Sequence, residues 1–142
     1  MSAFAADATV RYTLSIAHPE KHFVHVKMEL PPGPPERDLQ LPVWNALYQV
    51  RDFSQYVIWV KASDAAGHAL RVQDVDKSRW HLSGAANGAV VEYEIFADQA
   101  GPYNAQLNEE HGFFNFAEIL MYAVDRRSSP AIVTFADVPP AW

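Results

Sequence analysis

Apolar and polar residues alternate along most of this chain, and a period of two is the spacing at which the side chains of a β-strand fall on one face. Val10, Tyr12, Leu14 and Ile16 alternate with Thr9, Arg11, Thr13 and Ser15. Val24, Val26, Met28 and Leu30 alternate with Phe23, His25, Lys27 and Glu29. The two stretches predict half-buried strands that pair antiparallel. Pro31-Pro32-Gly33-Pro34-Pro35 cannot donate ladder hydrogen bonds at four of its five positions and predicts a loop. Extended chain resumes at Leu39 to Trp44. Phe53 to Lys61 reads as a strand whose continuous run Val57, Ile58, Trp59, Val60 predicts burial on both faces. Asp64 to Gly67 marks a turn, with short strands expected over Ala69 to Val72 and Arg79 to Leu82. Gly84 to Gly88 is a second turn before an alternating strand from Val90 to Ala97.

Beyond Gly101-Pro102, Tyr103, Ala105 and Leu107 point one way. A last strand is expected at Ala131 to Phe135, with a stop at Pro139-Pro140. Phe116, Ile119, Leu120 and Ala123 have helical spacing behind Asn115, an N-cap residue type, and predict a short helix passing into strand. About ten short strands make the chain all-β: an antiparallel β-sandwich or saddle-like curved sheets, with at most one or two short helices. No internal repeat or linker divides residues 1–142, so a single β domain is expected.

Composition narrows the function classes. Of 142 residues, 49% are hydrophobic, which suffices for a packed core. The apolar runs are far shorter than the roughly 20 residues of a membrane-spanning helix. Eleven Lys and Arg stand against 17 Asp and Glu, for a net charge of −6 and no basic cluster, so nucleic acid is not an expected partner. The absence of cysteine removes disulfides and thiolate metal sites. The Ala-rich start, Met1 to Ala8, has the flavour of an export-signal tail without the basic and apolar segments that precede one. An exported or periplasmic domain and a leader of no meaning both fit it.

Catalytic groups are sparse. His18, His22 and His25 are close in sequence, but His22 and His25 lie an odd number apart, which on a strand sends them to opposite faces. No His-Glu-x-x-His, Gly-x-Ser-x-Gly, Gly-x-Gly-x-x-Gly or P-loop pattern occurs. Catalytic, cofactor-binding and metal-binding residues are therefore expected to be absent. Asn108-Glu109-Glu110-His111-Gly112 gathers two carboxylates and an imidazole, which suits acid–base work, a cation or plain solvation. Of the four tryptophans, Trp59 and Trp80 are expected in the core. Trp44 is open between core and a carbohydrate platform, and Trp142 is expected to rest against something.

Several of these segments together resemble one family. Leu41-Pro42-Val43-Trp44-Asn45-Ala46-Leu47-Tyr48-Gln49-Val50-Arg51-Asp52-Phe53 is similar to the Leu-Pro-x-Trp-x-Pro-Gly-x-Tyr-x-x-Arg-Asp-Phe signature of the glycyl aminopeptidases, PDZ-containing gluzincin zinc metallopeptidases (peptidase family M sixty-one). Ala17 to Val26 resembles their opening strands, Asp76-Lys77-Ser78-Arg79-Trp80 their Asp-Lys-x-x-Trp, and Val91-Glu92-Tyr93-Glu94-Ile95 their Val-x-Tyr-x-Val strand. Asn108 to Asn115 is similar to the loop before their last strands, and Pro139-Pro140-Ala141-Trp142 to the Pro-x-x-Trp that closes their N-terminal domain. Asn45-Ala46-Leu47 departs from the family's Pro-Gly turn.

The resemblance implies a non-catalytic N-terminal domain that packs on a catalytic peptidase domain of the parent chain and helps to shape its substrate cleft. Zinc ligands, catalytic Glu and PDZ domain are then expected beyond Trp142, with zinc in that catalytic domain and no cofactor in this chain. The face toward the partner is expected to include Asn108, Glu109, Glu110, His111, Phe113, Phe114 and Trp142. The alternative is an independent sandwich that binds carbohydrate or peptide.

Overall fold

A computed structural model describes residues 8–43 and 52–142 of the chain. Trp44 and most of the Leu41–Phe53 signature lie outside the described residues. The strands are β1 (Val10–Ser15), β2 (Phe23–Leu30), β3 (Glu36–Gln40), β4 (Val57–Ser63), β5 (Ala69–Asp76), β6 (Arg79–Ser83) and β7 (Ala89–Phe96). A two-residue pair, β8 (Gln106–Leu107) and β9 (Gly112–Phe113), precedes one helical turn, α1 (Phe116–Ile119), then β10 (Tyr122–Ala123) and β11 (Ala131–Ala136).

Among the described residues nine strands form one sheet in the order β10-β3-β6-β5-β4-β7-β2-β1-β11. β1 and β2 are antiparallel neighbours as expected. Every neighbouring pair in this sheet is antiparallel except β1 with β11, which is parallel. The curved-sheet form of the expectation is the one observed, and a two-sheet sandwich is not. β5 meets β4 only through Ala69 and Leu70, then pairs with β6 from Arg71 onward. The sheet turns its corner along that strand and curls.

The alternating residues predicted to face inward do so. Val10, Tyr12, Leu14 and Ile16 share one buried cluster with Val24, Val26, Met28, Val91, Tyr93 and Ile95. A single curled sheet needs something across its concave face. The stretch after β7 supplies it, because Ala105, Leu107, Ile119, Met121 and Ala123 join the same cluster. Two tyrosines rising from the sheet tie it down. Tyr12 Oη donates to Met121 O at 2.6 Å, Tyr93 Oη donates to Ile119 O at 2.7 Å, and Met121 N donates back to Tyr93 Oη at 3.0 Å. Burial drives both phenols well above their ordinary pKa, Tyr12 to about 12, so both remain neutral donors.

Asn115 caps α1 as expected, its side chain accepting from Ala117 N at 3.1 Å, and the chain then passes into β10. Gly88 has φ +96°, and a Cβ there would meet Leu30 O at 2.7 Å, so only glycine fits this turn against the end of β2.

Several expectations need correction. Phe53–Tyr56 form a 3-10 turn, so the strand expected over Phe53 to Lys61 starts at Val57 and ends at Ser63. The strand predicted from Leu39 starts earlier, at Glu36, directly after the proline run, and ends at Gln40. The strand predicted over Ala69 to Val72 continues to Asp76. The run Val57 to Val60 is not buried on both faces. A bulge in β4 between Val57 and Trp59 resets the alternation, so Val57 and Val60 both lie opposite core residues of β7, Ile95 and Tyr93. Ile58 and Trp59 are left on the outer side: Ile58 is exposed and Trp59 half-buried, its ring 5.6 Å from that of His25 with Lys61 Nζ 4.7 Å from its centroid. Trp80 is core, and Trp59 is not.

Glu118 on α1 has no solvent exposure, and neither carboxylate oxygen makes a full hydrogen bond among the described residues, the Ala105 backbone N–H offsetting its burial only in part. Burial pushes its pKa up to about 7. The sign follows. From the ordinary carboxyl value of 4.5 up to about 7, the folded chain holds a proton that the unfolded chain has lost, so stability falls as pH rises through that window and levels off above it. Glu118→Gln should therefore gain roughly 1–3 kcal/mol at pH 8 and almost nothing at pH 4, read by urea unfolding at both values. Equal effects at the two pH values would contradict this.

Candidate functional site

The segment from Asn108 to Phe116 is built by a side-chain turn. Asn108 Oδ1 accepts from Glu110 N and His111 N, each at 2.9 Å, and Asn108 N donates to His111 O at 3.0 Å. This closes the β8–β9 hairpin with Glu109, Glu110 and His111 exposed at its tip. His22 anchors the hairpin to the sheet. It sits in the left-handed region at φ 60°, just before β2, and its Nδ1 lies 2.5 Å from Leu107 O. A carbonyl only accepts, so Nδ1 donates the proton in this bond.

Glu20, His22, Asn108, Glu109 and Glu110 line an open depression of about 400 Å³. His18 lies 3.3 Å from Glu20, and His25 faces Glu92 and Glu94 across strands at 3.5 and 3.8 Å; His22 precedes β2 instead of lying on it, so strand alternation does not relate it to His25. Among the described residues no group of three or more His, Asp or Glu is placed to hold a metal ion.

The aromatics of the segment separate. Phe113 projects away from its neighbour and, with Gln99, Pro102 and Gln106, lines a second depression of about 380 Å³. Phe114 turns the other way and packs on the core cluster, its ring 5.6 Å from that of Phe135. Phe116 lies 6.5 Å from Phe135. Trp142 comes back to the hairpin, and its Nε1 donates to Glu109 O at 3.1 Å. Gly112 makes room for both rings, since a Cβ there would lie 2.8 Å from the Phe114 ring and 3.3 Å from that of Trp142.

The Glu109 carbonyl and Trp142 meet beside Gly112 and Phe114, whereas Phe113 lines the other depression and Glu109 and Glu110 both border the one with Glu20. Phe116 and Phe135 extend the face, exposed at 44% and 42%, with Trp142 at 41%. Phe135 was not among the expected residues. Its alternation with Val133 was a usable signal, because it places both on the core side of the last strand.

A second polar cluster lies on β3 and β6. His81 Nδ1 is 2.7 Å from Asp38 and Nε2 is 2.5 Å from Glu36, which also accepts from Ser83 Oγ at 2.9 Å. Hydrogen bonds to the Asp38 and Glu36 carboxylates raise the pKa of His81, and those that Glu36 accepts from His81 and Ser83 lower its own. The register opposes Glu36 to Ser83 and Asp38 to His81, so this is a cross-strand ladder with neither nitrogen of His81 free to act as a base. Of the tryptophans weighed for a carbohydrate platform, Trp80 is buried and Trp59 carries Lys61, while Trp44 lies outside the described residues.

Residues 11–142 match the family described as peptidase M61 N-terminal domain. No curated protein matches the chain. A solved structure of an aminopeptidase N family protein from Idiomarina loihiensis is 26% identical, with a TM-score of 0.86 over 92% of this chain and 22% of that one. An M1 zinc metallopeptidase from Deinococcus radiodurans is 14% identical, with a TM-score of 0.47 over 92% of this chain and 31% of that one. The chain therefore spans less than a third of the length of either structure.

Proposed function

The chain belongs to the peptidase M61 N-terminal domain family, and from this we infer that it is the non-catalytic N-terminal domain of a glycyl-aminopeptidase-like zinc metallopeptidase. It packs on the catalytic portion of the parent polypeptide through the face of Phe114, Phe116, Phe135 and Trp142, and helps to shape the substrate cleft. The family match over nearly the whole chain carries this reading. The exposed rings support the choice of face, since a lone domain seldom leaves several large apolar side chains together in water.

Zinc belongs to the catalytic portion. The donors described in this chain do not converge on an ion, and no step of peptide hydrolysis is assigned to its residues.

The test is reconstitution. The 142-residue chain and the remaining portion of the parent polypeptide, made separately, should co-elute on size exclusion, and Trp142→Ser with Phe135→Ser should weaken association at least tenfold while the circular dichroism stays β-type. Chelator-sensitive peptide cleavage by the 142-residue chain alone would overturn the reading, as would a catalytic portion that does not bind it.

A further inference from the structure

Among the described residues the sheet has two edges, and they differ. β10 is two residues long, too short to template another strand. β11 runs six residues, Ala131-Ile132-Val133-Thr134-Phe135-Ala136, with no charge and no proline, in register with β1 along its whole length. Edge strands left like this recruit partners.

The hydrogen bonds identify which groups are on offer. Val10 N donates to Pro130 O at 2.9 Å and Ile16 N donates to Ala136 O at 3.3 Å, so the even-numbered residues of β11 turn their peptide groups toward β1. Residues alternate along a strand. Ala131, Val133 and Phe135 therefore direct their N–H and C=O groups outward. Their side chains lie on the same side of the sheet as Val10, Tyr12 and Leu14, and Phe135 leads onto Phe114 and Phe116. An outward ladder and an exposed aromatic ledge thus share one border.

We propose that this border is a strand-addition seam: a strand from the catalytic portion of the same polypeptide pairs with the outer edge of β11, and its side chains cover Phe116 and Phe135. This rests on the reading above. Two observations select that occupant. The chain spans 22% of the Idiomarina aminopeptidase N family structure, so that protein carries several times this length in further polypeptide. Trp142 lies six residues past β11 and is tied to Glu109 O beside Phe114, so in a longer chain the following residues start next to the seam. Tethering there gives a strand of the same polypeptide an effective concentration on the order of millimolar, which a second copy in dilute solution does not reach.

Amide hydrogen exchange in the 142-residue chain and in the longer parent polypeptide tests this. The amides of Val133 and Phe135 should exchange fast in the short chain and gain on the order of a hundredfold protection in the long one, while Ile132 and Thr134, bonded to β1, are protected in both. Val133→Pro removes one outward N–H and no bond to β1, so it should leave the short chain folded and cut the added protection at Phe135 by about tenfold or more. Added protection elsewhere but not at Val133 and Phe135 would overturn the seam while keeping the docking. No added protection anywhere would overturn both. Concentration-dependent protection of these amides in the short chain would assign the edge to a second copy instead.

Discussion

Asp125→Ala should destabilise the chain by roughly 3–5 kcal/mol, and Arg37→Met by clearly less. Arg37 on β3 has no side-chain exposure, and its guanidinium makes a two-pronged contact with Asp125, at 3.1 Å from Nε and 2.9 Å from Nη2, while Nη1 donates to Pro31 O at 2.6 Å. Asp125 keeps 23% of its side-chain surface. The asymmetry follows from that difference. Removing Asp125 leaves a buried cation with one carbonyl for company. Removing Arg37 leaves an anion that water can reach, and methionine fills part of the space. For a chain of this size, 4 kcal/mol corresponds to about 10 °C in Tm. Urea unfolding of both variants is the measurement. A larger loss for Arg37→Met than for Asp125→Ala would refute the assignment. The pair matters for the fold because it fastens the proline run to the chain just after β10, where Arg126 also donates to Pro32 O at 2.8 Å.

Tyr93→Phe should cost roughly 2–4 kcal/mol, because the lost hydroxyl serves two buried backbone groups at once, Ile119 O and Met121 N. Tyr12→Phe strands only Met121 O and should cost about half as much. Both phenols bond Met121, so the double variant should depart from additivity by at least about 0.5 kcal/mol. Exchange at Ile119 to Met121 should rise in Tyr93→Phe ahead of exchange in β1 or β2. Uniform weakening of the whole sheet would show that the hydroxyl holds nothing local. This tether also has a functional side. The crossing stretch carries the β8–β9 hairpin, Phe114 and Phe116, so under the proposed docking, loosening it should weaken association with the catalytic portion as well as stability.

Much of the candidate site was legible as segments and little of it as geometry. The Asn108 turn, the Asn115 cap and the aromatic crowding after Gly112 are written in short-range residue types. Which ring goes where is not, because Phe113 and Phe114 differ by one position on a strand and one position reverses the face. Trp142 looked as though it should rest against something; that it rests on the Asn108 hairpin needed the fold.

The same division holds for the whole chain. Alternation with a period of two, the proline run and the turn glycines are local physics, and they determined the strands, the loops and the inward side of β1, β2 and β7. Tertiary packing decided the rest. It put β11 parallel beside β1, although about 120 residues separate them, because that position buries the outer flank of β1 and leaves Val133 against the core. It also paired Arg37 with Asp125 across 88 positions, and it placed the β4 bulge that left Trp59 outside. No short window encodes such choices. Each is selected by how well the finished sheet closes over its own core, a property of all the strands together.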